Sequence, residues 1–291
     1  MRRALKRLWY LFFRRHPYHY LGAALWVTLG GGERQRTRRV FERVARAPLG
    51  FRTRCLLVYL DNLYYSRHAT SPSLPEPNRL RWSGPLAVAA HTEVAQKYAQ
   101  RPELFECEFG PMLARVNELT RDNAYECVVE LGCGAGLLIE RMAAQAVDSS
   151  AAFVGLDLSP ETIDLNRERY RGSRVQYHCC DNLQEFLGRT QAESVLVLAQ
   201  GTLQFFTEAE LLNCLRWLTG NIPRGALVVR DFTYPEASRQ EHSRPGIGFT
   251  FFHNYETLFS QADLREIQTE VETDRAQART VLVSGIWGAR P

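Results

Sequence analysis

The chain has 291 residues, 45% of them hydrophobic and 23% charged, a globular balance that is long for one small domain and short for two large ones. Its net charge of +4 is unevenly placed: residues 1–54 hold fourteen Lys or Arg against two Glu, a local +12 that leaves −8 for the rest. Basic character therefore belongs to an N-terminal segment and not to the chain as a whole, which excludes a uniformly polyanion-binding protein.

The N-terminal stretch RRALKRLWYLFFRR, projected at 100° per residue, gathers Leu5, Leu8, Trp9, Leu11 and Phe12 in one arc and Arg2, Arg3, Lys6, Arg7 and Arg14 in the other. That is a basic amphipathic helix. Its partner is left open between its own domain or a second copy of the chain, an anionic membrane surface through residues 1–15, and a phosphate backbone. The apolar part of YHYLGAALWVTLGGG is about a dozen residues, too short to span a bilayer. It also lacks the pattern of a secretion signal. Seven cysteines with no C-x-x-C read as free thiols in a reducing compartment, so a cytoplasmic location is expected. Residues 71–86 carry four prolines and read as a linker or ordered loop.

Beyond it, helices are expected near 89–100 and 108–121, and then the strand ECVVELG. Strands and helices alternate from there. LLIERMAAQA is a helix, AAFVGLDLS a strand, and PETIDLNRERYR a helix with Pro160 in its first turn. RVQYHCCD is a strand, LQEFLG a short helix, and SVLVLAQ a strand. EAELLNCLRWLTG is a helix stopped by Gly220, and GALVVRDF a strand. Such alternation predicts a parallel sheet covered on both faces. YETLFSQA then reads as a helix, and LREIQTEVET with ARTVLVSGIWGA as two strands that end the sheet antiparallel.

The run VVELGCGAGLL places Gly132, Gly134 and Gly136 directly after a buried strand, with Glu130 beside them. Glycines there permit unusual dihedrals and let a ligand approach the backbone at the carboxyl end of a parallel strand. The spacing fails the G-x-G-x-x-G fingerprint, since position 137 is Leu137, and no Gly-Lys-Ser/Thr closes a P-loop. The second strand ends GLDLS, with Asp157 following Gly136 by 21 residues; an ionised acid there accepts both hydroxyls of a ribose. Asp181, with Asn182 behind it, follows the third strand and can read an adenine edge. Glu130 and the glycine turn are left to hold something smaller and partly cationic.

A ribose, an adenine and an amino-acid end without phosphates describe S-adenosylmethionine. Through VVELGCGAG, VGLDLSPE, CCDNL and the antiparallel end of the sheet, residues 120–290 resemble the class I S-adenosylmethionine-dependent methyltransferases. The resemblance implies an α/β fold with a seven-stranded, mostly parallel sheet and an antiparallel C-terminal hairpin, helices on both faces. It divides the chain into a mainly helical extension over 1–86 (a lid, an interface or a membrane-surface contact) and a cofactor-binding domain over 87–291. It implies that the glycine turn and Glu130 face the methionine portion, and that Asp157 with Leu158 faces the ribose. Asp181 and Asn182 would face the adenine, and Gln200 would lie near the transferable methyl. HTEVAQKYAQ is similar to the helix that small-molecule members fold over the cofactor, where Tyr98 either covers the methionine end or packs in the core.

Methyl transfer from a sulfonium is an in-line displacement, so positioning and water exclusion dominate. A base is needed only if the acceptor must lose a proton early; His91, His253 and His242 are the candidates. The segment LAQGTLQFF lacks the Asn/Asp-Pro-Pro-Tyr/Phe of members that modify base nitrogens or glutamine amides. Gln204 and Phe205 are therefore read as lining a small-molecule pocket, with a core role left open for Phe205. Asp231 ends the fifth strand without a convincing partner set, so no metal is expected. An RNA methyltransferase using the basic segment, a non-catalytic scaffold and a homodimer stay open as alternatives.

Overall fold

The computed structural model describes residue 82 and residues 85–121, 123–146, 150–180, 183–233, 242–245, 251–275 and 278–288. The helical extension expected over 1–86 lies almost wholly outside them, as do Asp181 and Asn182. The described residues from Ala87 onward belong to one compact unit.

Seven strands form one sheet in the order β3-β2-β1-β4-β5-β9-β8. The strands β1 (Cys127–Leu131), β2 (Ala152–Asp157), β3 (Val175–Cys179), β4 (Ser194–Gln200) and β5 (Arg224–Thr233) run parallel. β8 (Arg265–Arg275) and β9 (Ala278–Trp287) close it antiparallel, as expected. A two-stranded ribbon, β6 (Arg244–Pro245) with β7 (Phe251–Phe252), was not anticipated, because two-residue strands leave no periodicity to read.

β1 sits at the centre because both its faces are buried, and apart from Glu130 its residues are apolar. Val129 faces Val154 on one side and Val197 on the other. Alternating side chains feed two cores. Val129, Leu131, Val197, Ala199, Leu227 and Val229 pack with Leu211, Leu215 and Leu218 of α6 (Glu208–Asn221) and with Leu258 and Phe259 of α7 (Tyr255–Gln261). Val128, Leu196, Leu198, Ala226 and Val228 pack instead under Phe105, Phe109, Met112 and Val116 of α2 (Pro102–Arg121). Tyr98 of α1 (Pro85–Gln100) and Leu138 and Ile139 of α3 (Leu137–Gln145) join the second core. Each such Leu, Ile, Val or Phe contributes about 1.5–3 kcal/mol of burial.

Local chemistry fixes the helix starts. Ser159 accepts the Thr162 N–H and Pro160 follows it, opening α4 (Pro160–Arg169). Thr207 and Glu210 form a reciprocal capping box on α6. That helix runs one residue past Gly220, so the glycine lies in its last turn instead of ending it. Between them lies the short α5 (Leu183–Thr190). On the edge strand β8, Arg265, Glu266 and Glu270 are exposed and two register irregularities interrupt the ladder, which blunts edge-to-edge pairing.

The chain proceeds outward from β1 to β2 and β3, then returns to place β4 on the other side of β1. That reversal opens a crevice above the carboxyl ends of β1 and β4, where open α/β sheets bind their ligands.

Candidate active site

The glycine turn fills this crevice, and buried side chains hold it. Gly132 and Gly134 have φ of +70° and +48°, values that side-chain-bearing residues adopt only under strain. Asp157, 7% exposed, accepts the Gly134 N–H at 3.0 Å through one oxygen and the Ser159 N–H at 3.0 Å through the other. Each oxygen keeps one further lone pair. Asn166 of α4, fully buried, donates to the Gly134 carbonyl at 2.6 Å. Leu158, half-buried, follows Asp157, and its carbonyl faces the Cys179 thiol at 3.6 Å.

Glu130 is buried beneath the turn and accepts the Ile139 N–H, one of the free donors of the first turn of α3, at 3.0 Å. Burial pushes its carboxyl up to about 8; the Ile139 bond opposes the rise and the Asp157 charge adds to it. Gly136, at φ +74°, leads into α3.

The room freed by the glycines is not open. A Cβ on Gly132 would run into the Thr202 side chain, which clamps the turn after β4 onto the turn after β1. A Cβ on Gly134 would lie 3.1 Å from the His91 ring. His91 thus rests on the glycine turn, its Nδ1 3.3 Å from Thr162 Oγ1. Burial pulls its imidazole below the ordinary range, Asp157 opposes this and Arg169 adds to it. Sequence reasoning offered His91 as a candidate base for the acceptor; its contacts here are with Gly134 of the glycine turn and Thr162 of α4.

The end of β4 carries the other half of the site. The Gln200 amide oxygen is buried without a partner. Beyond it the chain makes a short 3-10 turn, Leu203–Phe205. Gln204 is folded back, its Nε2 on the Gly201 carbonyl at 2.8 Å, while its own N–H meets Asp231 at 2.9 Å. Phe205 is half-exposed beside it, and Phe206 packs against the core.

Asp231, the acid weighed as a metal ligand, is 2% exposed and accepts from Gln204 N–H, Phe232 N–H and the Tyr255 hydroxyl. Burial pushes its carboxyl up to about 6 against those donors.

Two sequence-named residues take other roles. His253 is fully buried. Its Nε2–H donates to the Leu203 carbonyl at 3.1 Å, and Nδ1 accepts from the Ser243 hydroxyl at 2.7 Å. Burial drives its imidazole down to about 4. Both ring nitrogens are thus engaged, and the Nε2 bond ties His253 to the 203–205 turn. Tyr98 packs edge-on against Phe105 and Phe109, with ring centroids 5.8 and 5.4 Å away, and its hydroxyl donates to Glu108. It takes the core role that the sequence left open. His242, exposed, lies 3.0 Å from Glu208.

Sequence reasoning missed Asn166, Thr202, Ser243 and Tyr255. No motif marks them; they come together only because the fold brings α4, the turn after β4, the residue before β6 and α7 to one end.

Comparison with known proteins agrees with this geometry. Residues 128–220 match the family described as methyltransferase domain. Human N-acetylserotonin methyltransferase, solved with S-adenosylmethionine, superposes with a TM-score of 0.54 at 13% identity, over 82% of this chain and 68% of that one. An S-adenosylmethionine-dependent methyltransferase from Leishmania major superposes with a TM-score of 0.50 at 11% identity, over 78% and 90%. These likenesses are of fold. No curated protein matches the chain in sequence. Residues 128–220 thus form a methyltransferase domain, in a fold shared with S-adenosylmethionine-dependent methyltransferases. Among the described residues no helix is long and apolar enough to cross a membrane.

Proposed function

We propose that this enzyme transfers the methyl group to a small-molecule acceptor, at oxygen, nitrogen or carbon, with 1–86 as an extension separate from the 87–291 catalytic domain. The observation that carries the reading is the post-β4 turn. It presents a half-exposed Phe205 and a tethered Gln204 beside a buried, unpartnered Gln200 oxygen, with no Asn/Asp-Pro-Pro-Tyr/Phe element. The name of the human structural neighbour also specifies a small acceptor.

The residues present fit the cofactor. The glycine turn, at positive φ and packed under Thr202 and His91, ends the first strand at the crevice, and Asp157 keeps two lone pairs for ribose hydroxyls. The Gln200 oxygen awaits a donor. Asp181 and Asn182 are assigned to the adenine on sequence grounds alone. Bound there, the cofactor supplies an activated methyl on sulfur, and the chain's own work is to align the acceptor and exclude water.

Glu130 gives this assignment a pH signature. Empty, its carboxyl stands near 8, so at pH 6 to 7 it is mostly protonated. A cation bound beside it favours the carboxylate, so binding releases a proton and affinity rises with pH. We expect cofactor binding to tighten by about fivefold to tenfold from pH 6 to 7, below the titration of the cofactor's own amine. Calorimetry in phosphate and in a high-ionisation-enthalpy buffer reads the proton directly, and E130Q should flatten the profile. Isotope-labelled cofactor incubated with a metabolite extract and with total RNA tests the acceptor class. Label confined to RNA would overturn the proposal.

A further inference from the structure

The bare face of Gly134 is turned toward α1. The three atoms closest to a Cβ built there all belong to the His91 ring: Cδ2 and Nε2 at 3.1 Å and Cε1 at 3.5 Å. Gly134 is thereby held on every side. Its N–H lies on Asp157 Oδ2 at 3.0 Å, its carbonyl accepts from Asn166 Nδ2 at 2.6 Å, and its Cα meets the imidazole edge. The ring is fixed at its other edge, where Nδ1 lies 3.3 Å from Thr162 Oγ1. Thr162 is itself 1% exposed, with its N–H on the Ser159 hydroxyl that caps α4. His91 therefore joins α1 to the glycine turn and to the start of α4. Those last two are the places where Asp157 spends its two backbone bonds, on Gly134 and Ser159.

A glycine at φ +48° is unstrained but not selected, because glycine adopts positive and negative φ about equally well. Contacts from outside the turn must choose the conformer. Without them the turn has to be ordered when a ligand binds, and that lost freedom is subtracted from affinity. The imidazole edge fills the face where other residues carry Cβ, so Gly134 cannot swing toward α1.

We propose that His91 is a positioning residue for the cofactor: its ring seats Gly134, so that the Gly134 N–H stays on Asp157 and the spare lone pairs of that acid stay available to the ribose. The proposal rests on the assignment of Asp157 to the cofactor above. In this role the imidazole moves no proton; its shape is what counts. Burial disfavours the imidazolium, Asp157 opposes this and Arg169 adds to it, which keeps the ring toward its neutral form.

The test compares His91→Ala, His91→Phe and His91→Asn in the full-length protein. Phenylalanine keeps a ring edge on Gly134 and loses the nitrogens; asparagine keeps a polar atom for Thr162 and loses the edge. Calorimetry with S-adenosylmethionine and S-adenosylhomocysteine reads affinity. Hydrogen exchange of the peptide 128–142 in the empty protein reads the order of the turn. H91A should weaken both nucleosides about tenfold and speed exchange at the turn by about as much. H91F should return both readouts to within about threefold of wild type, and H91N should not. Gly134→Ala should cost less affinity beside H91A than alone, because the 3.1 Å approach to the ring is then gone. The proposal is overturned if H91A keeps both readouts within twofold of wild type, if asparagine rescues and phenylalanine does not, or if the two substitutions are additive. Should alanine unfold the domain, the contrast between phenylalanine and asparagine decides. A wild type that binds neither nucleoside would instead sink the cofactor reading, while the exchange data would still decide whether His91 seats the turn.

Discussion

Replacing Asp157 by alanine is expected to lower affinity for S-adenosylmethionine at least about 100-fold and to lower stability as well. The carboxylate has two tasks. It holds Gly134 and Ser159 through their N–H groups, each at 3.0 Å, and it is assigned the ribose hydroxyls through its remaining lone pairs. Alanine leaves both buried donors unpaired, at about 1–3 kcal/mol each. It also frees a turn in which Gly132 and Gly134 sit at positive φ. A loss of about 3 kcal/mol in binding corresponds to the 100-fold change. Asparagine is no conservative control, because its amide NH2 would face one of the two N–H donors. Calorimetry at low temperature, with the variant still folded, reads the affinity; thermal denaturation reads the stability. Undiminished affinity would remove the cofactor assignment of this acid.

The second large effect is expected at Asp231. Its carboxylate accepts from Gln204 N–H, Phe232 N–H and the Tyr255 hydroxyl at 2.9, 2.8 and 3.0 Å, all out of solvent. Asp231→Ala should cost about 3–5 kcal/mol, since three donors lose their partner at once. It should also release the Gln204–Phe206 wall, raising KM for the acceptor more than the cofactor Kd. The charge state gives a sharper test. The folded carboxyl titrates near 6 against an ordinary value of 3.8. Between those values the folded protein holds more protons than the unfolded chain, so stability falls as pH rises. The stability of the wild type relative to D231N should thus fall by about 2–3 kcal/mol from pH 4 to 7. Denaturant midpoints at both pH values measure it, and a rise would contradict the placement of Asp231.

How legible was this protein? Strands such as SVLVLAQ and GALVVRDF announce themselves, because residues buried on both faces of a parallel sheet must be continuously apolar. Helix starts at Pro160 and Thr207 are equally local, because capping depends on neighbours within four residues. The glycine turn, Glu130 and Asp157 could be named for the same reason: their spacing along the chain is set by one strand–turn–helix unit and the next strand.

Sequence patterns fall short where a side chain's contacts depend on what packs over it. Nothing in HTEVAQKYAQ says that His91 lies on Gly134 while Tyr98, seven positions on, turns into the contact between α1 and α2. His253 sits in a stretch where substrate loops are common, yet Leu203, 50 positions earlier, and Ser243, ten positions earlier, take both its nitrogens.

The sequence alone therefore determined the order of elements, the two-faced sheet and the strand–turn acids, all consequences of short-range periodicity and backbone geometry. Only the tertiary structure decided which acids brace backbone and which keep free lone pairs, because burial and partner choice arise when distant segments meet. Arg230 and Glu272, 42 positions apart, meet at 2.7 Å only because β8 and β9 fold back beside β5.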